Sequence, residues 1–329
     1  MPTTGGANIA AKTGSASRPD PDEGPRIAIC PEPVQWAVDA VVKGGGLPVD
    51  PECTPQGVVC TQITGKHVDE LRGMLLASPN VQWVQLPMAG VDRAFGAGLI
   101  DRDRLWTSAK GAYADPVAEH ALVLALAGLR HLPEWIRASS WGSPAGTSLF
   151  DQRVTVVGGG GVTKSLLRLL EPFRTEVTVV RLRPIPVAGA ARTVGLDQLH
   201  AALGEALVVV LALALTPQSR RIIGRPELAA MRPEAWLINV ARGGLIDTDA
   251  LVDALDSAMI GGAALDVTDP EPLPAEHPLW RIGNCIISPH TADTQEMIEP
   301  LLAHRISENV RRFANGEELV GLVDFDLGY

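Results

Sequence analysis

The segment Val154-Thr155-Val156-Val157-Gly158-Gly159-Gly160-Gly161-Val162-Thr163 constrains this chain more than any other. Four residues of high β propensity run straight into four glycines, and a helical pattern opens at Thr163. Valine and threonine suit a pleated, buried strand, whereas glycine tolerates a sharp turn and lets a ligand approach the backbone closely. Such a strand–turn–helix unit presents the helix N-terminus, with its unpaired N–H groups, to an anion such as a pyrophosphate. Gly158 serves the tight turn and Gly160 the close approach, with Gly161 and Val162 leading into the helix. The third glycine of a G-x-G-x-x-G pattern is replaced by Thr163, so close helix–strand packing must be met differently here.

The alternation continues downstream. Short apolar runs at 177–181, 207–213, 236–239, 263–267 and 285–287 join 154–157 as six expected strands. Runs of this kind, separated by helical or loop segments, predict a doubly wound parallel sheet. Upstream, strands are expected at 26–30, 57–60 and 84–86, with helices at 34–42 and 69–76, which makes a smaller α/β unit. Residues 117–129 are apolar almost all round and predict a deeply buried helix, and 295–314 reads as a last long helix. A length of 329 residues fits two domains better than one core.

Residues 1–24 are mostly Gly, Ala, Ser, Thr, Pro and Asp without an apolar stretch, which reads as a disordered tail and not a signal peptide. The longest apolar run, 206–215, is far short of the ~20 residues that span a membrane. Cys30, Cys53, Cys60 and Cys285 form no C-x-x-C pair and have no histidine at metal-ligand spacing. They read as buried small hydrophobes of a cytoplasmic protein that uses no metal. A net charge of -10 argues against a nucleic-acid or anionic-membrane partner.

The end of the second strand of the larger unit decides between cofactors. A carboxylate there would accept hydrogen bonds from the ribose hydroxyls of NAD. The chain instead reads Val180-Arg181-Leu182-Arg183-Pro184, and Glu176 lies at the wrong end. Two guanidiniums suit a 2′-phosphate, so NADP(H) is favoured and NAD(H) is the alternative.

Three further blocks carry a family resemblance. Asn239-Val240-Ala241-Arg242-Gly243, with Asp247 and Leu251 downstream, resembles the N-x-x-R-G-x-x-[VI]-D-x-x-A-L block of the D-isomer-specific 2-hydroxyacid dehydrogenases. The stretch from Gly262 through Asp266-Val267 to Glu271-Pro272-Leu273 is similar to their G-A-x-x-D-V-x-x-x-E-P-L block, and Ser288-Pro289-His290-Thr291-Ala292 to their [ST]-P-H-x-A block. Met88-Ala89-Gly90-Val91-Asp92 and Val117-Ala118-Glu119-His120 resemble weaker signatures of the same family.

The chemistry can also be argued from residue types. Arg242, Glu271 and His290 each follow one of the last three strands, at the carboxyl edge where α/β sheets bind ligands. Arginine can grip the carboxylate of a 2-oxo acid and polarise its carbonyl. Histidine titrates in the range needed to protonate the carbonyl oxygen as hydride reaches C2, and a glutamate on its far nitrogen fixes the tautomer. Asp247 is expected to cap the next helix. His120, His277 and His304 lack comparable context and read as structural.

The resemblance implies more. Asp266 would hold the nicotinamide carboxamide, Leu215-Thr216-Pro217 and the backbone at Val240 and Ala241 would border the cofactor, and the amides at Ala89 and Gly90 would take the substrate carboxylate. Met88 and residues 59–61 would line the side-chain pocket. A Rossmann cofactor domain over 117–296 would be paired with a flavodoxin-like substrate domain from 25–116 plus 297–329. A homodimer would form through the crossing helix and the loop containing Trp135 and Trp141, and glyoxylate or hydroxypyruvate would be the substrate. Two alternatives stand beside this reading. One is a phosphoglycerate, formate or phosphite dehydrogenase, although the chain stops before the extra regulatory domain of many phosphoglycerate enzymes and has Glu271 where formate enzymes have Gln. The other is a dinucleotide-binding corepressor-like scaffold without turnover.

Overall fold

The computed structural model describes residues 24–328, so the expected tail falls, except for Gly24, outside the described residues. The chain begins with β1 (Arg26–Cys30), α1 (Gln35–Lys43), β2 (Leu47–Val49), β3 (Gly57–Cys60), α2 (Gly65–Ala77), β4 (Trp83–Gln85), α3 (Asp92–Gly96) and β5 (Leu105–Thr107). All five strands run parallel in the order β2-β1-β3-β4-β5, the flavodoxin-like arrangement. β2 and β5 were not expected. Each is a three-residue edge strand, and β2 contains Pro48, which only a sheet edge tolerates.

Helices α4 (Ala114–Leu129) and α5 (Leu132–Arg137) lead to a second sheet. It contains β6 (Arg153–Val157), α6 (Gly161–Leu170), β7 (Glu176–Val180), β8 (Arg192–Val194), α7 (Leu199–Glu205), β9 (Val208–Leu211), α8 (Arg225–Ala230), β10 (Trp236–Asn239), α9 (Thr248–Asp256), β11 (Gly262–Leu265) and β12 (Cys285–Ile287). The order is β12-β11-β10-β9-β6-β7-β8, again all parallel, with the chain reversing direction across the sheet between β6 and β9. That switch point is where a doubly wound sheet opens a crevice. The six expected strands are present, and the seventh, β8, is a short edge strand that starts on the exposed Arg192. The apolar run over 207–213 outlasts its strand, because β9 ends at Leu211 and the chain then bends across the glycine turn.

Helix α4, expected to be deeply buried, is buried on one face only, with Val123 53% exposed on the other. Ala118, Ala121, Leu124, Ala125 and Leu129 pack with Val154, Val156 and Trp236 of the second sheet. A Cβ at Gly128 would overlap the Trp236 ring, 2.5 Å from Cδ2 and nearer still to Cε3, so the helix rides on that strand through a glycine. The final helix, α10 (Gln295–Asn315), returns to the first sheet, where Leu302, Ile306 and Val310 share a core with Ile27, Val41, Val59 and Trp83. Because strands in both sheets are parallel, the carboxyl ends of each sheet gather on one edge, and contacts between residues 90–93 and 242–271 show that the two edges face each other. Cys30, Cys60 and Cys285 are buried as expected, whereas Cys53 is exposed. No helix among the described residues is long and apolar enough to cross a membrane.

Candidate active site

The turn after β10 carries Arg242, and Asn239 shapes it. Fully buried at the strand's end, Asn239 donates from Nδ2 to the Arg242 carbonyl at 2.9 Å and accepts the Ala241 amide on Oδ1 at 3.1 Å. A side chain that spans its own turn in this way fixes the next residue's direction. Arg242 projects toward the first sheet, donating from Nε to Asp92 Oδ1 at 3.2 Å and from Nη1 to the Ala241 carbonyl at 2.8 Å. Its guanidinium lies directly over Gly90: a Cβ there would fall 2.9 Å from Arg242 Cζ and closer still to Nη2. Arg242 and Gly90 therefore meet across the two sheets, with Ala89 and Met88 preceding Gly90 in the chain and Met88 anchored by its carbonyl accepting the Ala109 amide at 2.9 Å. Asp92, quoted only as part of a motif, proves to be the partner of Arg242.

Glu271 and His290 come together from the loops after β11 and β12, with Nδ1 2.8 Å from Oε1. A carboxylate only accepts, so Nδ1 carries the proton and Nε2 is the nitrogen free to take up or release one. Both side chains are partly open to solvent, His290 at 40% and Glu271 at 25%. Arg93 of α3 stands 3.6 Å from the same Oε1, a second link between the sheets. Asp293 was not singled out from the sequence. Burial pushes its carboxyl above the usual range, and the negative charge of Asp266 adds to this, while His290 and Arg242 oppose it.

Asp266 is buried at the end of β11. Its Oδ1 accepts Ser288 Oγ at 2.6 Å and the Thr291 amide at 2.9 Å, and its Oδ2 accepts the Ala292 amide at 3.1 Å. Burial alone would raise its pKa, but hydrogen bonds from His120, Ser288, Thr291 and Ala292 outweigh it and hold the group at about 2. His120 thus departs from the structural reading given to it. Its Nε2 lies 3.0 Å from Ser288 Oγ and 3.3 Å from Asp266 Oδ1. The contact spans 168 residues of chain, and the signal at His120 in the sequence is its place in the weak Val117-Ala118-Glu119-His120 signature, which names no partner. Asp247 caps α9 as expected, accepting the Ala250 amide at 3.2 Å, and His277 caps a short 3-10 turn.

The glycine turn forms an open cradle on one side and a packed joint on the other. Gly158 takes φ +117°, and a side chain there would strike the Ala212 backbone. Gly160 is the N-cap of α6 and has open space where a Cβ would stand. The helix opens at Gly161, two residues before Thr163, and a Cβ at Gly161 already meets Gly111 Cα at 3.0 Å and Ala114 Cβ at 3.3 Å. Thr163 replaces the third glycine without loss, since its hydroxyl donates to the Gly158 carbonyl at 2.9 Å and closes the turn. Val162 packs into the core beside it. Arg181 lies along the same turn, with Nε 3.1 Å from where a Cβ on Gly159 would be, whereas Arg183 is exposed beyond it. Leu215 reaches Gly244, close to Arg242, with Thr216 beside it and Pro217 exposed, while Val240 is buried and Ala241 half-buried at the start of the arginine turn. An anionic dinucleotide fits this cradle: a helix N-terminus, an unobstructed glycine and an arginine line one crevice.

Residues 120–292 match the family model described as D-isomer specific 2-hydroxyacid dehydrogenase, NAD binding domain. An uncharacterised protein of Corynebacterium melassecola is 41% identical over 76% of this chain and 84% of its own length. The glyoxylate reductase/hydroxypyruvate reductase of Mus musculus is 34% identical over 64% of this chain and 68% of its own. Among solved structures, a D-isomer specific 2-hydroxyacid dehydrogenase from Xanthobacter autotrophicus Py2, crystallised with NADPH and MES, superposes with a TM-score of 0.80 at 27% identity, covering 93% of this chain and all of that one.

Proposed function

Because the chain belongs to the D-isomer-specific 2-hydroxyacid dehydrogenases, which are oxidoreductases, we propose that it reduces a small 2-oxo acid such as glyoxylate or hydroxypyruvate with NADPH, His290 acting as proton donor. The observation that carries this reading is the 2.8 Å pairing of His290 Nδ1 with Glu271, which leaves Nε2 to serve the reacting oxygen in a cleft already lined by Arg242.

The cofactor supplies the hydride when bound. Gly158, Gly160 and the α6 N-terminus would hold its pyrophosphate, and Arg181, with Arg183 at the rim, would neutralise a 2′-phosphate. Arg242 and the amides at Ala89 and Gly90 hold the substrate carboxylate, and the guanidinium also polarises the C2 carbonyl. His290 gives its Nε2 proton to the carbonyl oxygen as charge builds there, and Glu271 offsets the positive charge that the imidazolium carries beforehand. In the oxidative direction neutral His290 accepts the alcohol proton. Closing of the two sheet edges over these groups would keep water from the reacting centre.

The substrate-binding unit comprises 25–116 with 297–329, and the cofactor unit 117–296, consistent with the return of α10 to the first sheet. A homodimer would cover Leu132 and Ile136, 44% and 80% exposed on α5, and Trp141, fully exposed in the segment after it, since large apolar side chains grouped in one exposed stretch are what a subunit interface buries.

The test is loss of NADPH and NADH absorbance with purified protein against a panel of 2-oxo acids. Turnover of glyoxylate or hydroxypyruvate, faster with NADPH and abolished in His290→Ala with cofactor binding kept, is the expected result. Cofactor binding without turnover of any panel member would overturn the reading in favour of a non-catalytic scaffold.

A further inference from the structure

The most heavily hydrogen-bonded element of the site is the turn that carries His290. His290 is held at φ +52°, in the left-handed region that side-chain-bearing residues seldom adopt. Three consecutive amides of this turn converge on one residue: His290 N donates to the Asp266 carbonyl at 2.8 Å, and Thr291 N and Ala292 N donate to its carboxylate. A carboxylate gripping successive amides around a left-handed residue is an anion nest in which the anion belongs to the protein.

Behind this carboxylate stands a relay. Ser288 has one hydroxyl proton, and Asp266 Oδ1 at 2.6 Å takes it. His120 Nε2, 3.0 Å from Ser288 Oγ, must therefore be the donor in that contact, which fixes its tautomer with the proton on Nε2. His120 comes from α4, the helix that runs between the two sheets, so the relay ties the His290 turn to that helix.

We infer that His120 and Ser288 are positioning residues for His290, acting through Asp266 to hold the turn in which Nδ1 meets Glu271. This rests on reading His290 as the proton donor. Removing either donor loosens the carboxylate, the turn relaxes from its left-handed backbone, and the imidazole swings away from Glu271.

The experiment uses the full chain as His120→Leu, His120→Gln and Ser288→Ala, the glutamine keeping a donor near the place of Nε2. In crystals of His120→Leu and Ser288→Ala the Nδ1–Oε1 separation opens beyond hydrogen-bond reach, while His120→Gln keeps it. With glyoxylate and NADPH, kcat falls about tenfold in both disrupting variants, the loss expected for one hydrogen bond to a charged group. The solvent deuterium isotope effect on kcat rises as proton transfer slows, and NADPH Kd, read by fluorescence titration, stays within about twofold. Wild-type kcat with an intact His290–Glu271 contact in both disrupting variants overturns the inference. So does an NADPH Kd that weakens in step with kcat, which would place the relay at the nicotinamide end instead. If the wild-type protein turns over no 2-oxo acid, the reaction assignment fails, and the crystal structures still judge the relay.

Discussion

Gly90→Ala isolates the contact between the two sheet edges without deleting any functional group. The added methyl would lie 2.9 Å from Arg242 Cζ, closer still to Nη2, and 3.0 Å from Asp92 Oδ1. Ordinary contact begins at 3.4 Å, so Cζ must retreat by at least 0.5 Å (3.4 minus 2.9). The guanidinium tip must move by about 1 Å, a displacement of the size that costs roughly 100-fold when a positioning group is involved. A loss of that size is ~2.7 kcal/mol of transition-state stabilisation. Folding should be nearly untouched, within about 0.5 kcal/mol, because Gly90 is not in a left-handed conformation and the obstacle is the end of a flexible side chain. The assay is kcat/KM for glyoxylate with saturating NADPH, measured for wild type, Gly90→Ala, Arg242→Ala and the double variant. If the methyl acts by displacing Arg242, it costs little once Arg242 is gone, and the cycle shows strong coupling. Full activity in Gly90→Ala, or the same loss in the presence and absence of Arg242, refutes the argument.

Other perturbations address the remaining parts of the site. Glu271→Gln keeps the shape of the pair but removes the charge that supports the imidazolium, so kcat should fall by ~100-fold or more with KM little changed, and an unaltered kcat would remove Glu271 from the mechanism. Arg181→Glu, beside Gly159, should weaken NADPH by about tenfold while sparing or improving NADH, and equal loss of both would end the 2′-phosphate argument. Asp266 has a folded pKa of about 2 against 3.8, so its contribution is complete above pH ~4 and is lost as pH falls through 2. That lowering amounts to about 2 kcal/mol, and Asp266→Asn should flatten that part of the acid-unfolding curve. Asp293 works in the opposite sense: its raised carboxyl favours the fold only at low pH, so Asp293→Asn should raise Tm at neutral pH and not near pH 3.

Legibility from the sequence followed the range over which each feature is determined. The central strands of the two sheets and the cap at Asp247 are set by residues within a few positions of one another and read correctly, and so does the place of the glycine turn, although its helix opens at Gly161 and not at Thr163. Three of the four edge strands did not read correctly: β2, β5 and β8 have three residues each and lack the apolar run that marks a central strand, whereas the fourth, β12, keeps Cys285-Ile286-Ile287 and was expected. Thr163 looked like a weakness of the cofactor turn, since a side chain there should hold the helix off the strand. Its hydroxyl instead bonds the Gly158 carbonyl, a compensation visible only once the turn is closed.

The same distinction separates the residues expected at the site from those found there. Arg242, Glu271 and His290 each end a strand, so parallel topology alone brings them to one edge, and their order in the sequence is enough to find them. Asp92, Arg93 and His120 enter from elements of the other unit or from the connecting helix, and their distances to Arg242, Glu271 and Ser288 depend on how two separately folded sheets dock. Docking is set by packing such as that of Gly128 on Trp236 and of α10 on the first sheet, and neither appears as a local motif. His120 shows the consequence most sharply. Within α4 it is one polar residue in an apolar helix, where a structural role is the sound expectation. Only when β11 and β12 are placed beside that helix does its Nε2 proton acquire an acceptor, and through Ser288 and Asp266 a hold on the backbone of His290. A site at the junction of two sheets is therefore specified twice: strand ends within one sheet supply the groups proposed to react, and the fit between sheets supplies the groups proposed to aim them.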